Sequence, residues 1–534
     1  MLFRDKHVGI IGGGASGIFA LCYLIDLKIE ADDLLPLQIT LIEKNEILGE
    51  GMAYRSDHQS NLLNTAAGLF SGMNDDQRPH LKNQPSFLKW VRENQDAWAA
   101  HCPTLMLSDI TKNSYLPRCL VGIYLRHILH FYTDIARKYN TTIHFLLDEV
   151  QDINFDVELG WEIVLSYQKT LSFSHVILAI GGFLKNNFQH LHHADNYFNN
   201  PWPNKNNLKK ILSCKTVGII GTKLSALDTA GILRSHHYSG KIVMASRSGF
   251  LPSVKNVHHV YNPILLTTDT LHHLNRHGDI KLNDVINLVK SEIEYASGKK
   301  IAWKKIEMKK RFSMSWLYWQ INMAKNPAVL WQSVLASASD FFISAWHCLN
   351  PQEKLFFTKH FAQIWETYRF SMPLCTANEI VNLIQSEQLN LFSDVSHPEI
   401  HNKKIILKGF DSFKKKFISI ETDFLINATG INYDVNSISS SLLKNILQRG
   451  IAKANPYGGI NVNFNSFAVS DFQTLYAIGD LTKGTQFFTN SYLVCSDQAA
   501  TVAKSILLDC EQNNFMHLAR FNVEKTAGQS MYAH

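Results

Sequence analysis

The chain has 534 residues, of which 46% are hydrophobic and 18% charged, with a formal net charge of +6. This is the balance of a soluble globular protein with two or three domains and a substantial core; the positive excess is too mild to mark a nucleic-acid binder. The eight cysteines (Cys22, Cys102, Cys119, Cys214, Cys348, Cys375, Cys495 and Cys510) include no Cys-x-x-Cys pair, which indicates neither a metal site nor a dithiol redox centre and fits a reducing, cytoplasmic setting.

The first predicted element is an apolar strand, His7 to Ile11, running into Gly12, Gly14 and Gly17 in a Gly-x-Gly-x-x-Gly turn. A helix-like stretch follows, then a second apolar run, Leu37 to Ile42, ending at Glu43. Strand, glycine turn, helix, strand and acid is the order of a dinucleotide-binding unit. The first glycine permits the tight turn, the second lets backbone approach a pyrophosphate, the third lets helix and strand pack, and the acid accepts from a ribose hydroxyl. Gly12, Gly14, Ser16, Gly17 and Glu43 are therefore cofactor-binding candidates. Glu43 lies beyond the usual spacing of ~20 residues, an excess that the segment Glu30 to Asp33 explains. A carboxylate there disfavours a 2'-phosphate, so this site suits FAD or NAD. The uncharged stretch Val8 to Ile25 imitates a signal peptide or membrane span, but its glycines fit the nucleotide site better.

Strands are predicted next over Thr142 to Asp156 and Trp161 to Tyr167, and over Ser174 to Ile180 before Gly181-Gly182. An Asn- and His-rich stretch from Lys185 to Lys210 reads as a linker. A second strand–turn–helix, Thr216 to Asp228, contains Gly221 and Ser225, and the strand Lys241 to Ala245 after it ends near Arg247 rather than at an acid. Arg pairs bidentately with a 2'-phosphate, so the second nucleotide reads as NADPH, with Gly221, Ser225 and Arg247 as contacts. Lys223 occupies the second glycine position. Its side chain either clashes with a pyrophosphate or neutralises it, and a structural crossover without ligand is the competing reading.

From Asp269 to Arg369 the pattern is helical and rich in aromatics, including Trp303, Trp316, Trp319, Trp331, Trp346 and Trp365. Most are expected in the insert's own core, with a cavity wall as the sharper alternative. The basic cluster of Lys299, Lys300, Lys304, Lys305, Lys309, Lys310 and Arg311 reads as a solvated helix face. Strands are predicted at Lys404 to Lys408, Lys415 to Ile420 and Asp423 to Asn427, the last running into Ala428-Thr429-Gly430. Leu475 to Ile478 leads into Gly479-Asp480, and a helix is expected from Ser491 to Leu508.

These pieces, in this order, resemble the two-dinucleotide-binding flavoproteins, whose second FAD motif Ile478-Gly479-Asp480 resembles; the resemblance implies that Asp480 binds the ribityl chain or pyrophosphate. Gly49-Glu50-Gly51-Met52-Ala53-Tyr54, Leu62-Leu63-Asn64 and Met73 are similar to bacterial FAD-NAD(P)-binding proteins. So are Pro117-Arg118 with Gly122 and Tyr124-Leu125, Asn200-Pro201-Trp202, Ser246 to Pro252, and Trp365 to Pro373 with Tyr368-Arg369. The likeness extends to about residue 508. One branch of that family includes aspartate N-monooxygenases; ornithine and lysine N-hydroxylases are more distant relatives. Lys223 departs from the pattern.

The expected fold class is α/β, two Rossmann-like dinucleotide-binding domains with a helical insert. FAD occupies residues 1–185 with 431–512, NADPH occupies 208–263 with 371–430, the insert is 264–370, and 513–534 form a tail. Two nucleotide sites imply hydride transfer from NADPH to FAD, and dioxygen is the acceptor that needs the fewest special residues. The expected function is an FAD- and NADPH-dependent monooxygenase that N-hydroxylates a small amine or amino acid through a C4a-hydroperoxyflavin. A flavin-linked dehydrogenase or reductase and a non-catalytic scaffold are the alternatives. Asn64 is the candidate near the flavin or nicotinamide; Arg118 and Arg369 are candidates for a carboxylate or phosphate, against structural ion pairs. No metal, nucleic acid or membrane partner is expected.

Overall fold

A computed structural model describes residues 6–55, 58–70, 81–256, 261–276, 278, 280–303, 312–326 and 330–508. Met73, Cys510, the tail and most of the basic cluster (Lys304, Lys305, Lys309, Lys310 and Arg311) lie outside these residues.

The opening motif folds into strand Lys6–Ile11, helix Ala15–Glu30 and strand Leu37–Glu43. The apolar stretch that imitated a span is thus divided among strand, turn and helix. Among the described residues no helix is long and apolar enough to cross a membrane. The first sheet is parallel throughout, in the order Leu475–Ala477, His175–Leu178, Lys6–Ile11, Leu37–Glu43, Thr141–Leu147. Parallel strands covered on both faces read as continuous apolar runs. Helix Ala15–Glu30 and helix Cys119–Ala136 supply one cover, with Phe19, Leu21, Leu120 and Ile128 in a shared core. A three-stranded antiparallel sheet (Val150–Asp156, Gly160–Leu165, Thr170–Phe173) and helix Ser441–Gln448 supply the other, through Trp161, Ile163, Leu443 and Ile446.

The predicted strand from Thr142 to Asp156 is two strands in two sheets. Asp148 breaks it: its Oδ1 accepts from the backbone N–H groups of Glu149 and Ser166, turning the chain away. The predicted linker is also structured. Strand Tyr197–Phe198 edges the second sheet, and Asn196 Nδ2 donates to the carbonyls of Lys403 and Asp423.

The second sheet runs Tyr197–Phe198, Phe424–Asn427, Thr216–Ile220, Lys241–Ala245, Leu389–Ser393 in parallel, then turns antiparallel through Lys404–Asp411 and Lys416–Thr422. Between the two units the chain passes out through Phe183–Leu184 and back through Ile431–Asn432, which pair antiparallel with Leu184 opposite Ile431. The helical region has its own core around Leu271, Val334, Phe341 and Trp346. Its helix Met314–Lys325 is the exception, with Trp316, Leu317 and Ile321 packing into the second unit's core.

Candidate active site

The first glycine turn is shaped by backbone contacts. Gly12 has φ +110°, and a Cβ there would stand 2.3 Å from the Ala179 carbonyl oxygen; one at Gly17 would stand 1.8 Å from that of Gly12. Gly14 is different: a Cβ would meet nothing closer than Gly51 Cα at 3.6 Å, so two glycine backbones face each other with no side chain between them. Glu43 lies under the turn, accepting from the N–H of Gly13 at 2.7 Å and from Asn45. Gly479 (φ +73°) lies against Ser16, where a Cβ would be 3.0 Å from Ser16 Oγ. The two halves of the expected flavin motif therefore meet, although 463 residues separate position 16 from position 479.

Asp480 is deeply enclosed. Burial raises its carboxyl pKa, partly offset by the Thr489 hydroxyl, which donates to Oδ1 at 2.8 Å, and by Lys483. Gly182 makes the space: a Cβ there would stand 2.5 Å from Asp480 Oδ2. Gln498, on the helix over 492–508, accepts from Gly479 N–H at 2.7 Å and donates to Thr482. Gly182 and Gln498 were missed in the sequence; the doubled Gly181-Gly182 after an apolar strand was the available signal. The open gap at Gly14 and an enclosed carboxylate fit a flavin dinucleotide's pyrophosphate and hydroxylated chain.

The second turn repeats the first at Gly221 (φ +129°), where a Cβ would meet the Ala428 carbonyl oxygen at 2.4 Å. Gly221, Ser225 and Arg247 all border a cavity of about 1620 Å³ that also reaches Tyr433 and Lys483 of the first unit. Its lining carries five cations (Lys185, Lys223, Arg247, Lys359 and Lys483) against one carboxylate, Glu366, which suits a polyanionic ligand. Burial lowers the pKa of Lys185, Lys223 and Lys483, the last two to about 8, with Glu366 acting in the opposite direction. Trp316, Trp346 and Trp365 line the same cavity, so these aromatics serve both core and wall, whereas Trp319 is 50% exposed.

Lys223 turns its ammonium onto Thr367 Oγ1, 2.5 Å away, and caps helix Leu224–Ser235. Glycine is tolerated at such a capping position within about a few tenths of a kcal/mol. Lys223→Gly is therefore expected to fold and to keep NADPH-driven flavin bleaching with a modest change in affinity. Stopped-flow reduction that appears in the variant and is absent from the wild type would mean that Lys223 blocks the site.

The three proposed catalytic side chains lie in different settings. Arg118 makes an ion pair with Asp228 at 2.9 Å and donates to the Leu62 carbonyl, joining the two units. The structural ion pair is thus the arrangement present, and Arg118 does not border the large cavity. At Asn64 it is the backbone carbonyl, not the side chain, that accepts from Lys255 Nζ, at 2.6 Å. Arg369 donates to Ser339 Oγ at 3.2 Å and lies 5.5 Å from the Phe488 ring. Cys102 and Cys119, 17 residues apart in sequence, bring their sulfurs to 3.4 Å, but both are buried in the first unit's core, away from the cavity.

Residues 9–183 match the family described as FAD-NAD(P)-binding, and no curated protein sequence matches the chain. Among solved structures, the FAD-bound cadaverine monooxygenase DfoA of Erwinia amylovora is 12% identical over 95% of each chain, with a TM-score of 0.56. An ornithine N-hydroxylase from Kutzneria sp. 744, solved with reduced FAD, NADP+ and L-ornithine, is 11% identical over 95% of this chain and 99% of its own, with a TM-score of 0.55. The L-lysine 6-monooxygenase of Pseudomonas syringae is 13% identical over 94% and 99%, also at 0.55. Identities this low carry the fold.

Proposed function

We propose, from an FAD-NAD(P)-binding segment set in a fold of two dinucleotide-binding units, that this protein is an FAD-dependent, NADPH-using monooxygenase that N-hydroxylates a small amine or amino acid with dioxygen. The observation that carries the reading is the cavity reaching from the second glycine turn to Tyr433 and Lys483, beside the paired flavin motif. Residues 1–185 with 431–512 would hold FAD, and 208–263 with 371–430 would hold NADPH, in a cytoplasmic enzyme.

Bound flavin supplies the redox chemistry; the chain's residues bind, orient and exclude water. Gly12, Gly14, Ser16, Gly17 and Glu43 would cradle the first dinucleotide, and Asp480 would accept from its hydroxyls. Gly221, Ser225 and Arg247 would hold the second, with Lys223 and Lys483 countering phosphate charge. Trp346 stacks on Phe487 with centroids 5.0 Å apart, and Trp365 lies 5.2 Å from the same ring. This apolar wall would help to exclude water from bound cofactors, as oxygen insertion requires.

The test is anaerobic reduction by NADPH, then reoxidation in air with candidate amines. The purified protein should be yellow, bleach with NADPH, and give N-hydroxylated product matching the NADPH consumed. Hydrogen peroxide in place of product with every amine would favour a reductase, and a flavin that NADPH cannot bleach would favour a scaffold.

A further inference from the structure

Cys102 and Cys119 meet outside the cavity, at the start of a long helix. Cys119 is the first residue of helix Cys119–Ala136, and Cys102 lies in the turn after helix Gln95–Trp98. Their sulfurs stand 3.4 Å apart, each residue is 1% exposed, and both thiols are free. Joining them needs an approach to about 2.0 Å. The two thiols are unequal. Donation from Cys102 is the largest effect on Cys119 and lowers its pKa; burial opposes this, and the N–H groups of Leu120 and Cys119 at the helix start add to the lowering. The same bond, then burial, raises Cys102. The thiolate is the nucleophile in thiol chemistry, so Cys119 is the attacking sulfur. Access comes from the Cys102 side. His101, Pro103 and Thr104 around it are exposed, and local opening of that turn admits a molecule little larger than water.

The same helix start carries two contacts that bear on the site. One residue before Cys119, Arg118 donates to the Leu62 carbonyl at 2.9 Å and pairs with Asp228 of the second unit at 2.9 Å. Three residues after it, Gly122 lies against segment 49–54: a Cβ there would stand 2.6 Å from the Tyr54 carbonyl oxygen. That segment includes Gly51, which faces Gly14 across the open gap of the first glycine turn. Cys119 therefore stands between the inter-unit ion pair and the wall of the expected flavin site. A close-packed interior transmits displacement rather than absorbing it. Drawing the two sulfurs together moves the helix start, and with it Arg118.

We propose that Cys102 and Cys119 form a peroxide-sensitive dithiol, which closes to a disulfide and slows reduction of bound flavin by NADPH. The Cys119 thiolate attacks one oxygen of hydrogen peroxide; the O–O bond breaks, hydroxide leaves, and Cys119 becomes a sulfenic acid. The Cys102 sulfur then attacks the Cys119 sulfur, and the sulfenic oxygen leaves as water. One peroxide is reduced to two waters, which take up the two thiol protons, and two thiols are oxidised to one disulfide. Hydrogen peroxide is what reduced flavin and dioxygen yield when no substrate takes the oxygen, so the oxidant would come from the protein's own wasted turnover. That origin and the slowing rest on the FAD- and NADPH-dependent reading; the disulfide itself does not.

The test uses the FAD-loaded full chain with its thiols reduced, treated with an equimolar amount of hydrogen peroxide. Intact mass, a non-reducing peptide map and stopped-flow bleaching by NADPH are read before and after. The wild type should lose the mass of two hydrogen atoms and yield linked peptides carrying Cys102 and Cys119. Its bleaching should slow about tenfold or more, the scale of loss that small misplacements cause. Dithiothreitol should reverse all three changes. Cys102→Ala and Cys119→Ala should each form no such link and keep their bleaching rate after peroxide. Cys102→Ala should instead hold one added oxygen on Cys119. Circular dichroism and FAD content before peroxide check that both variants fold; the wild-type peptide map decides the disulfide without them. A wild type that forms no link between Cys102 and Cys119, a link that leaves bleaching unchanged, or equal slowing in both Ala variants would overturn the proposal. The two readings fail separately. Coupled hydroxylation in a protein that forms no link would keep the monooxygenase and remove the dithiol; a reversible link in a protein that NADPH cannot bleach would remove the monooxygenase and keep the disulfide.

Discussion

Gly14→Leu is expected to give a folded but colourless protein, whereas Gly17→Ala should not fold stably. Both glycines belong to one fingerprint, yet the structure separates their duties. A Cβ at position 17 would stand 1.8 Å from the Gly12 carbonyl oxygen, in the packing of the first helix on its strand. Neither neighbour is a flexible side-chain end, so the cost belongs with the rare losses above ~4 kcal/mol. Position 14 has φ −76°, which any residue adopts, and its missing Cβ faces a gap closed only by Gly51 at 3.6 Å. On the proposed reading, a leucine there would enter the space a pyrophosphate needs, with Gly51 Cα at 3.6 Å the nearest atom to its Cβ. Circular dichroism and flavin absorbance of the two purified variants decide the matter. A yellow Gly14→Leu protein would place the flavin elsewhere.

Arg247→Ala is expected to weaken NADPH by ~1.5–3 kcal/mol, about tenfold to a hundredfold, and to leave NADH nearly unchanged. The side chain follows strand Lys241–Ala245, is exposed, and borders the cavity. Its backbone carbonyl is held by the N–H of Asp394 at 3.0 Å, and Gly249 (φ +69°) turns the chain immediately after it. Lys185 senses its charge, so the two cations share one field. Steady-state titration with each nucleotide reads the outcome. Equal losses for NADPH and NADH would mean that Arg247 does not contact the 2'-phosphate.

Local signals made the nucleotide-binding frame legible. The runs ending at Gly12 and Gly221 are buried parallel strands, and Gly12, Gly17 and Gly221 mark backbone approaches that no other residue allows. Gly479-Asp480 was readable through its resemblance to the second FAD motif of the two-dinucleotide-binding flavoproteins. What the sequence hid depends on contacts between distant segments. The break at Asp148 lies in one carboxylate accepting from two backbone amides, a choice invisible to strand propensity. A structural ion pair was one reading of Arg118, but its partner, Asp228, could be named only from the fold. Lys255 carried no signal at all, since a lone lysine after Pro252 resembles any surface lysine. The partner of its ammonium, the Asn64 backbone carbonyl, lies 191 residues away in sequence.

The paired strands Phe183–Leu184 and Ile431–Asn432 have an evolutionary consequence. Leu184 stands directly opposite Ile431, so the chain departs and returns at a single point, the geometry of a hairpin whose tip has been opened. Everything from 185 to 430 can be acquired, enlarged or exchanged there without shifting the register of the first sheet, because no strand of that sheet comes from the interval. The same two strands are the natural pivot for any rocking of one unit against the other, so ancestry and movement share an axis.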